Sequence, residues 1–258
     1  MRREEAFEPE PAISVVIAAR DEEQFIGRCL QAVRQQDFQL PYEVIVVDNA
    51  SNDSTAAVAK SFDCRVIDEP TPGQLFAKQV GVLAARGEIV AVLDADCAPA
   101  SHWLSSIYQA MTDSRDTNLA AVTCCYHFQG LPWWGSLYVT FVRHCLVGAY
   151  RLFLPTMPFV IGGNVAFRRS CFHGGYPQAG GIAQTELGLA KVLNKSGEIG
   201  YVPAMKVDSS GRRFEPGAIY FFFRYKLIDY FAEYLAELLT GKDKVRLRMA
   251  VNDNQRRP

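Results

Sequence analysis

The sequence predicts an open, mostly parallel, doubly wound α/β sheet. Short β-branched apolar runs recur at AISVVIA (12–18), EVIVV (43–47) and IVAVL (89–93), the mark of strands buried on both faces. Stretches with helical apolar spacing separate them, which is the alternation that builds parallel sheets. Acidic residues stand just past the strand ends, at Asp21, Asp48 and Asp94-Ala95-Asp96. In such sheets ligands bind beyond the carboxyl ends of the strands, so these acids are expected to converge on one rim.

The elements follow in order. After strand 12–18, Asp21 is placed to cap a helix whose first turn holds Glu22 and Glu23, and Phe25, Ile26, Cys29, Leu30 and Val33 recur at helical spacing. Strand 43–47 runs into the polar turn DNASNDST (48–55), a helix to about Phe62 and a short strand, CRVI (64–67). The loop DEPTPGQ (68–74) opens a helix to Arg86, and Gly87 stops it before strand 89–93. The second half is less regular. It offers a strand at 119–123, an aromatic helix at 133–152, a strand and turn at 162–170, a helix at 183–196 with Gly197 in its C-cap region, a strand at 199–203 and a long aromatic helix from Pro216 to Leu239. We expect a single domain over 12–240. Its 12–115 half carries the sheet core, its 116–240 half is less regular, and a basic tail occupies 241–258.

Composition bounds the function. The 258 residues are 49% apolar and 21% charged, with net charge −1. That composition suits a folded body with a sizeable core, and it supplies no chain-wide basic field for nucleic acid. The seven scattered cysteines form no Cys-x-x-Cys pair and read as reduced, which points to a reducing compartment. The N-terminus carries no apolar signal core, and the apolar stretch 131–165 is broken by Arg143, His144, Arg151 and three prolines. A cytoplasmic location is expected. Contact with the inner face of a membrane stays open, through the tail's six basic residues.

Asp94-Ala95-Asp96 is the sharpest chemical signal. Two carboxylates two residues apart share a side if strand geometry continues, and no cation lies within several residues of them. Like charges packed without a counter-ion are costly, so an external hard cation, Mg²⁺ or Mn²⁺, is expected. A solvated acidic loop is the alternative. No P-loop, no G-x-G-x-x-G, no G-x-S-x-G and no zinc spacing is found.

Taken together, ISVVIAARDEE, EVIVVDNASNDST, PGQLFAKQVGVLAARGEIVAVLDADCAP and GGNVAFRR resemble the inverting family 2 glycosyltransferases over roughly residues 12–208. The resemblance implies a GT-A type fold, a nucleoside-diphosphate-sugar donor and an acceptor-side second half. Ala18, Ala19 and Arg20 stand where the first strand turns under the nucleotide base, without the usual proline and aromatic, and Glu22 matches the acid after that turn. The resemblance gives Asp48 the base N–H, Lys78 a place near base and phosphates, Asp94 the ribose and diphosphate, and Asp96 the metal. Asp208 is the nearest candidate to join that metal, Arg212 and Arg213 could clamp a diphosphate, and Asn164 lies where the family lines the acceptor or sugar site. Glu186 stands at the general-base position when counted back from Gly197, whereas a competing alignment puts Gln184 there.

Each assignment has a structural rival. Asp48 and Asn164 could be turn formers, Glu186 a helix-dipole glutamate, and Arg212-Arg213 a solvated turn. The expected activity is metal-dependent, inverting transfer from a nucleoside-diphosphate sugar, with uracil suited to Asp48, to a hydroxyl of a saccharide or lipid-linked acceptor. A polyprenyl-phosphate sugar transferase and a non-catalytic sugar-nucleotide-binding protein are the two alternatives.

Overall fold

The structure is a computed structural model that describes residues 10–113, 118–124, 126–129, 160–172 and 182–210, side chains of 129 and 182–187 excepted. Its frame is a seven-stranded sheet. Strand β1 (Ile13–Ala19) is central, flanked by β2 (Tyr42–Asp48) and β4 (Ile89–Asp94), with β3 (Arg65–Asp68) outside β2. These four strands run parallel. Beyond β4 come β8 (Asn164–Arg168), β6 (Leu119–Thr123) and β9 (Glu198–Tyr201). β8 is antiparallel to both neighbours, while β6 and β9 are parallel to each other. The expected mostly parallel sheet is therefore present, and it continues past residue 115 into the second half.

Every residue of β1 and β4 is buried, which is why those runs are apolar without alternation. The period of two divides them between two faces. Ile13, Val15 and Ile17 pack with Ile26, Leu30 and Val33 of α1 (Glu23–Arg34) and with Trp103, Leu104, Ile107 and Met111 of α4 (Trp103–Thr112). Val16, Ile45, Val47, Val90 and Val92 pack with Ala77 and Val82 of α3 (Gln74–Ala84) and with Leu189, Ala190 and Leu193 of α5 (Ile182–Asn194). Each such aliphatic side chain contributes about 1.5–3 kcal/mol by leaving water. On the α3 face the fit is close: a Cβ on Gly81 would lie 2.3 Å from Val16 Cγ1.

Helix α2 (Thr55–Lys60) completes the α1 face through buried Ala59. A second sheet of three strands, β5 (Cys97–Pro99), β10 (Val207–Ser210) and β7 (Tyr126–Gln129), with β10 in the middle, adjoins the end of β4. Strands β5, β7 and β10 and helix α4 were not expected from the sequence. The three strands are only three or four residues long. The helices expected at 133–152 and 216–239 lie outside the described residues.

Candidate active site

The carboxyl ends of β1, β2 and β4 form the rim. In register, Ala19 stands opposite Asp48 and Ala18 opposite Asp94, so two acids flank the last residues of β1. Both acids are buried, at 8% and 9% exposure. Asp48 Oδ1 is buried with no hydrogen-bond donor among the described residues. A buried acceptor left unmade costs about 1–3 kcal/mol.

The loops around Asp48 are tied to one another. Asp21 adopts φ +54° and does not cap α1 as expected. Its Oδ1 instead accepts from Asn52 N–H at 2.7 Å. Asp53 Oδ2 accepts from Glu23 N–H at 3.1 Å, and Glu23 Oε2 accepts from Ser54 N–H at 2.9 Å. Each loop thus satisfies the orphan amides at the start of the other's helix. Burial raises the Asp53 carboxyl, but hydrogen bonds from Thr55 and the Glu23 amide outweigh it and hold the group below the usual range. Glu22 is fixed through its N–H, which donates to Thr55 Oγ1 at 2.7 Å, and Arg20 is exposed beside Asp21. Next to Asp48, Asn49 accepts from Gly73 N–H at 2.7 Å and donates to Thr71 O at 2.6 Å. That pins the loop which launches α3, where Gly73 takes φ +153°.

Helix α3 supplies what the sequence around Asp94 lacks. Lys78 Nζ donates to Asp94 Oδ1 at 3.0 Å and to Gly162 O at 2.8 Å, and the two side chains are 7% and 12% exposed. Gln74 Nε2 reaches the same carboxylate oxygen at 3.3 Å, and Tyr126 OH donates to Oδ2 at 2.9 Å. No cation lies within several residues of the motif; its counter-ion lies sixteen residues upstream, brought in by the helix rather than by neighbouring sequence.

Asp96 lies beyond the end of β4, in the turn before β5, so strand geometry does not continue through the motif. It is 7% exposed; Cys97 Sγ donates to its Oδ1 at 3.6 Å, and its carbonyl accepts from Ser210 N–H at 3.3 Å. Its negative field is felt nearby. Burial, then Asp96 and Asp94, push the Cys29 thiol far up; burial, then Asp94 and Asp96, do the same to Cys97. Both remain neutral thiols. Among the described residues no three His, Cys, Asp or Glu side chains gather as a metal cage. A hard cation held by one or two carboxylates together with substrate phosphates and waters needs no such cage. The oxygen donor at Asp96, in this negative field, fits that mode.

Asn164 is 0% exposed: its Oδ1 accepts from Trp103 Nε1 at 3.0 Å, and its Nδ2 donates to Cys124 O at 3.0 Å and Met205 O at 3.1 Å. Its polar atoms are engaged, and it braces β8, α4 and the β9–β10 connection from within. Asp208 pairs with His127 at 3.0 Å. Their register on β10 and β7 puts them on the opposite face from Val207 and Tyr126, so Asp208 does not share the face from which Tyr126 meets Asp94. Glu186 falls in the first half of α5, its side chain outside the described residues, as are Arg212 and Arg213. Cys29, Cys64, Cys97 and Cys171 are free thiols.

A model of glycosyl transferase family 2 matches residues 14–174, more than half of the chain. The chain belongs to glycosyl transferase family 2. Among curated relatives, the glycosyltransferase AglE of Haloferax volcanii is 37% identical over 101 residues, 36% of this chain and 33% of that protein. The 4,4'-diaponeurosporenoate glycosyltransferase of Staphylococcus aureus is 38% identical over 91 residues, 33% of this chain and 24% of that protein. The matches thus span a third or less of these two relatives' own length. Two solved structures share the fold. A mannosyltransferase from Pyrobaculum calidifontis, in complex with GDP-Man and Mn²⁺, superposes with TM-score 0.67 at 20% identity, covering 88% of this chain and 65% of that one. Staphylococcus aureus TarS 1-349 with UDP-GlcNAc gives TM-score 0.56 at 18% identity, covering 78% of this chain and 58% of that one.

For this family 2 member, the matched segment contains every rim residue described above. Gln74, Tyr126 and the brace Trp103 escaped the sequence reading. Tyr126 carries no local signal, because its role depends on a strand pairing with β10 some eighty residues away.

Proposed function

We propose that this family 2 protein is a metal-dependent inverting glycosyltransferase that moves a sugar from a nucleoside-diphosphate sugar, UDP-linked, to an acceptor hydroxyl, and that residues 12–240 act as one domain. The observation that carries the reading is the rim itself. A buried Asp48 oxygen with no donor among the described residues stands one strand across from β1, and the braced Asp94 stands one strand across on the other side. Asp48 accepts the uracil N3–H in a charge-assisted hydrogen bond. Asp94, its carboxylate fixed by Lys78, faces the ribose and diphosphate, with Ala18, Arg20 and Glu22 lining the base side. Asp96 holds Mn²⁺ or Mg²⁺. When bound, that ion neutralises charge on the departing diphosphate. Glu186 takes the proton of the acceptor hydroxyl, and attack from the opposite face inverts the anomeric carbon. Among the described residues no helix is long and apolar enough to cross a membrane.

Calorimetry with UDP- and GDP-sugars, with and without Mn²⁺, tests the reading. Metal-enhanced UDP binding is expected in the wild type, and Asp96→Asn should lose the Mn²⁺-dependent part while remaining folded. Unchanged metal-dependent binding in Asp96→Asn removes Asp96 as the metal ligand, and preference for GDP moves the donor to a guanosine diphosphate sugar. Glu186→Gln should keep donor binding and lose transfer by about 10²–10⁴-fold. Persistent transfer instead favours an acceptor that is already an anion, such as a lipid phosphate.

A further inference from the structure

We propose that Tyr126 is a positioning residue for the donor site, holding the Asp94 carboxylate in the orientation that receives the nucleotide; this rests on the reading of Asp94 given above. Asp94 is gripped from two directions. Lys78 and Gln74, both on α3, donate to Oδ1, while the Tyr126 hydroxyl, on β7 of the second sheet, donates to Oδ2 at 2.9 Å. A carboxylate held through one oxygen can still turn about its terminal torsion, which is soft for Asp. A donor on the second oxygen stops that rotation.

The contact is also packed against backbone. A Cβ at Gly163 would fall 2.1 Å from Asp94 Cγ, from Asp94 Oδ2 and from Tyr126 OH, so the Gly163 backbone lies directly against this hydrogen bond. A hydrogen bond to a charged acceptor is stronger than one between neutral groups. Asp94 N–H donates to Gly163 O at 3.3 Å, and Gly162 O accepts from Lys78. One backbone turn therefore closes the site around the carboxylate, its cation and the phenol together. Tyr126 itself is held by its ring, tilted against Phe128 at 5.9 Å, and by the β7–β10 pairing, neither of which needs the hydroxyl.

Tyr126→Phe isolates the hydroxyl while keeping the ring. The expected result is nucleoside-diphosphate affinity, measured by calorimetry with Mn²⁺, about tenfold weaker. Donor KM should rise by the same factor and kcat should stay within about twofold, because a remote binding contact is lost. The melting temperature should fall by no more than about 4 °C. In an Asp94→Asn background the same change should cost less than about twofold, since the charged acceptor is gone. Unaltered affinity in Tyr126→Phe, or an equal loss in the Asp94→Asn background, overturns the positioning role. A wild type that binds neither UDP nor GDP, with or without Mn²⁺, overturns the donor reading itself and is recognised before any variant is compared.

Discussion

Both ends of the parallel sheet bury a carboxylate, and they treat it differently. At the base, Glu43 at the start of β2 is enclosed by its own structural neighbours. Its Oε1 accepts from Ser14 Oγ at 2.6 Å and from Arg86 N–H at 2.7 Å, and its Oε2 accepts from Arg86 Nε at 3.1 Å. Ser14 also accepts from Gly87 N–H at 2.8 Å. These partners belong to β1 and to the turn after α3, so the cluster is a staple for the β-α-β crossover. At the rim, Asp94 gathers donors from α3 and from the second sheet, and Asp48 keeps a buried oxygen with no donor among the described residues. The base spends its polar groups on itself; the rim holds some in reserve. That asymmetry separates a carboxylate enclosed by its structural neighbours from the rim carboxylates on which the proposed donor site rests.

The contrast can be broken at several points. The largest effect on stability is expected from Lys78→Met, which strands a buried Asp94 without its cation and should cost about 3–5 kcal/mol in urea unfolding. If the loss stays below about 1 kcal/mol, Asp94 is not held by this pair. Next comes a pair of glycines. Gly81→Ala presses a methyl into Val16 and should destabilise by about 1–3 kcal/mol. Gly163→Ala presses one into Asp94 and Tyr126 and should in addition abolish nucleotide binding, read by calorimetry on the folded variant. Equal nucleotide affinity in both variants would erase the distinction between packing and site.

At the base, Glu43→Gln should cost about 1–3 kcal/mol at neutral pH. Burial raises the Glu43 carboxyl, but the Ser14 and Arg86 hydrogen bonds outweigh it and hold it below its ordinary 4.5. The unfolded chain therefore takes up its proton first as pH falls. The stability difference between wild type and Glu43→Gln should be full above that ordinary value and close on acidification through the lowered folded one. A gap that is constant down to acid would show that the ionised form is not what matters. The smallest change is expected at Ala50, which adopts φ +54°. Ala50→Gly should raise stability by about 0.5–1 kcal/mol by relieving left-handed strain.

How much of this could be read from the sequence depends on range. β1, β2 and β4 were legible because burial on both faces leaves an unbroken apolar run, and Asp48 and Asp94 were legible because they end those runs. Lys78 was singled out, but its partner was not, since a helix had to carry it over Asp94. The turn at Ala95-Asp96 breaks the strand geometry that would have placed both acids alike. The bracing role of Asn164 was illegible for the converse reason. A polar residue beside two glycines reads as loop chemistry, and nothing local shows that Trp103, Cys124 and Met205 close over it. Tyr126 was illegible because strands of four residues, paired across eighty positions, leave no period to detect.

The reversed strand β8 has a consequence for how the chain comes to be folded at all. β4 can dock on β1 once its own residues exist, but its other edge waits for Asn164–Arg168, about seventy residues later. At synthesis rates of about 5–20 residues per second, that edge stands bare for several seconds. Meanwhile β6, already made, runs in the same direction as β4 and is a ready but wrong neighbour for it. Reaching the native order requires β8 to slot between two strands that could otherwise zip together, and such long-range insertion is slow. The delay belongs to the topology, so substitutions that strengthen β8 should speed maturation of the nascent protein even where they leave its finished stability unchanged.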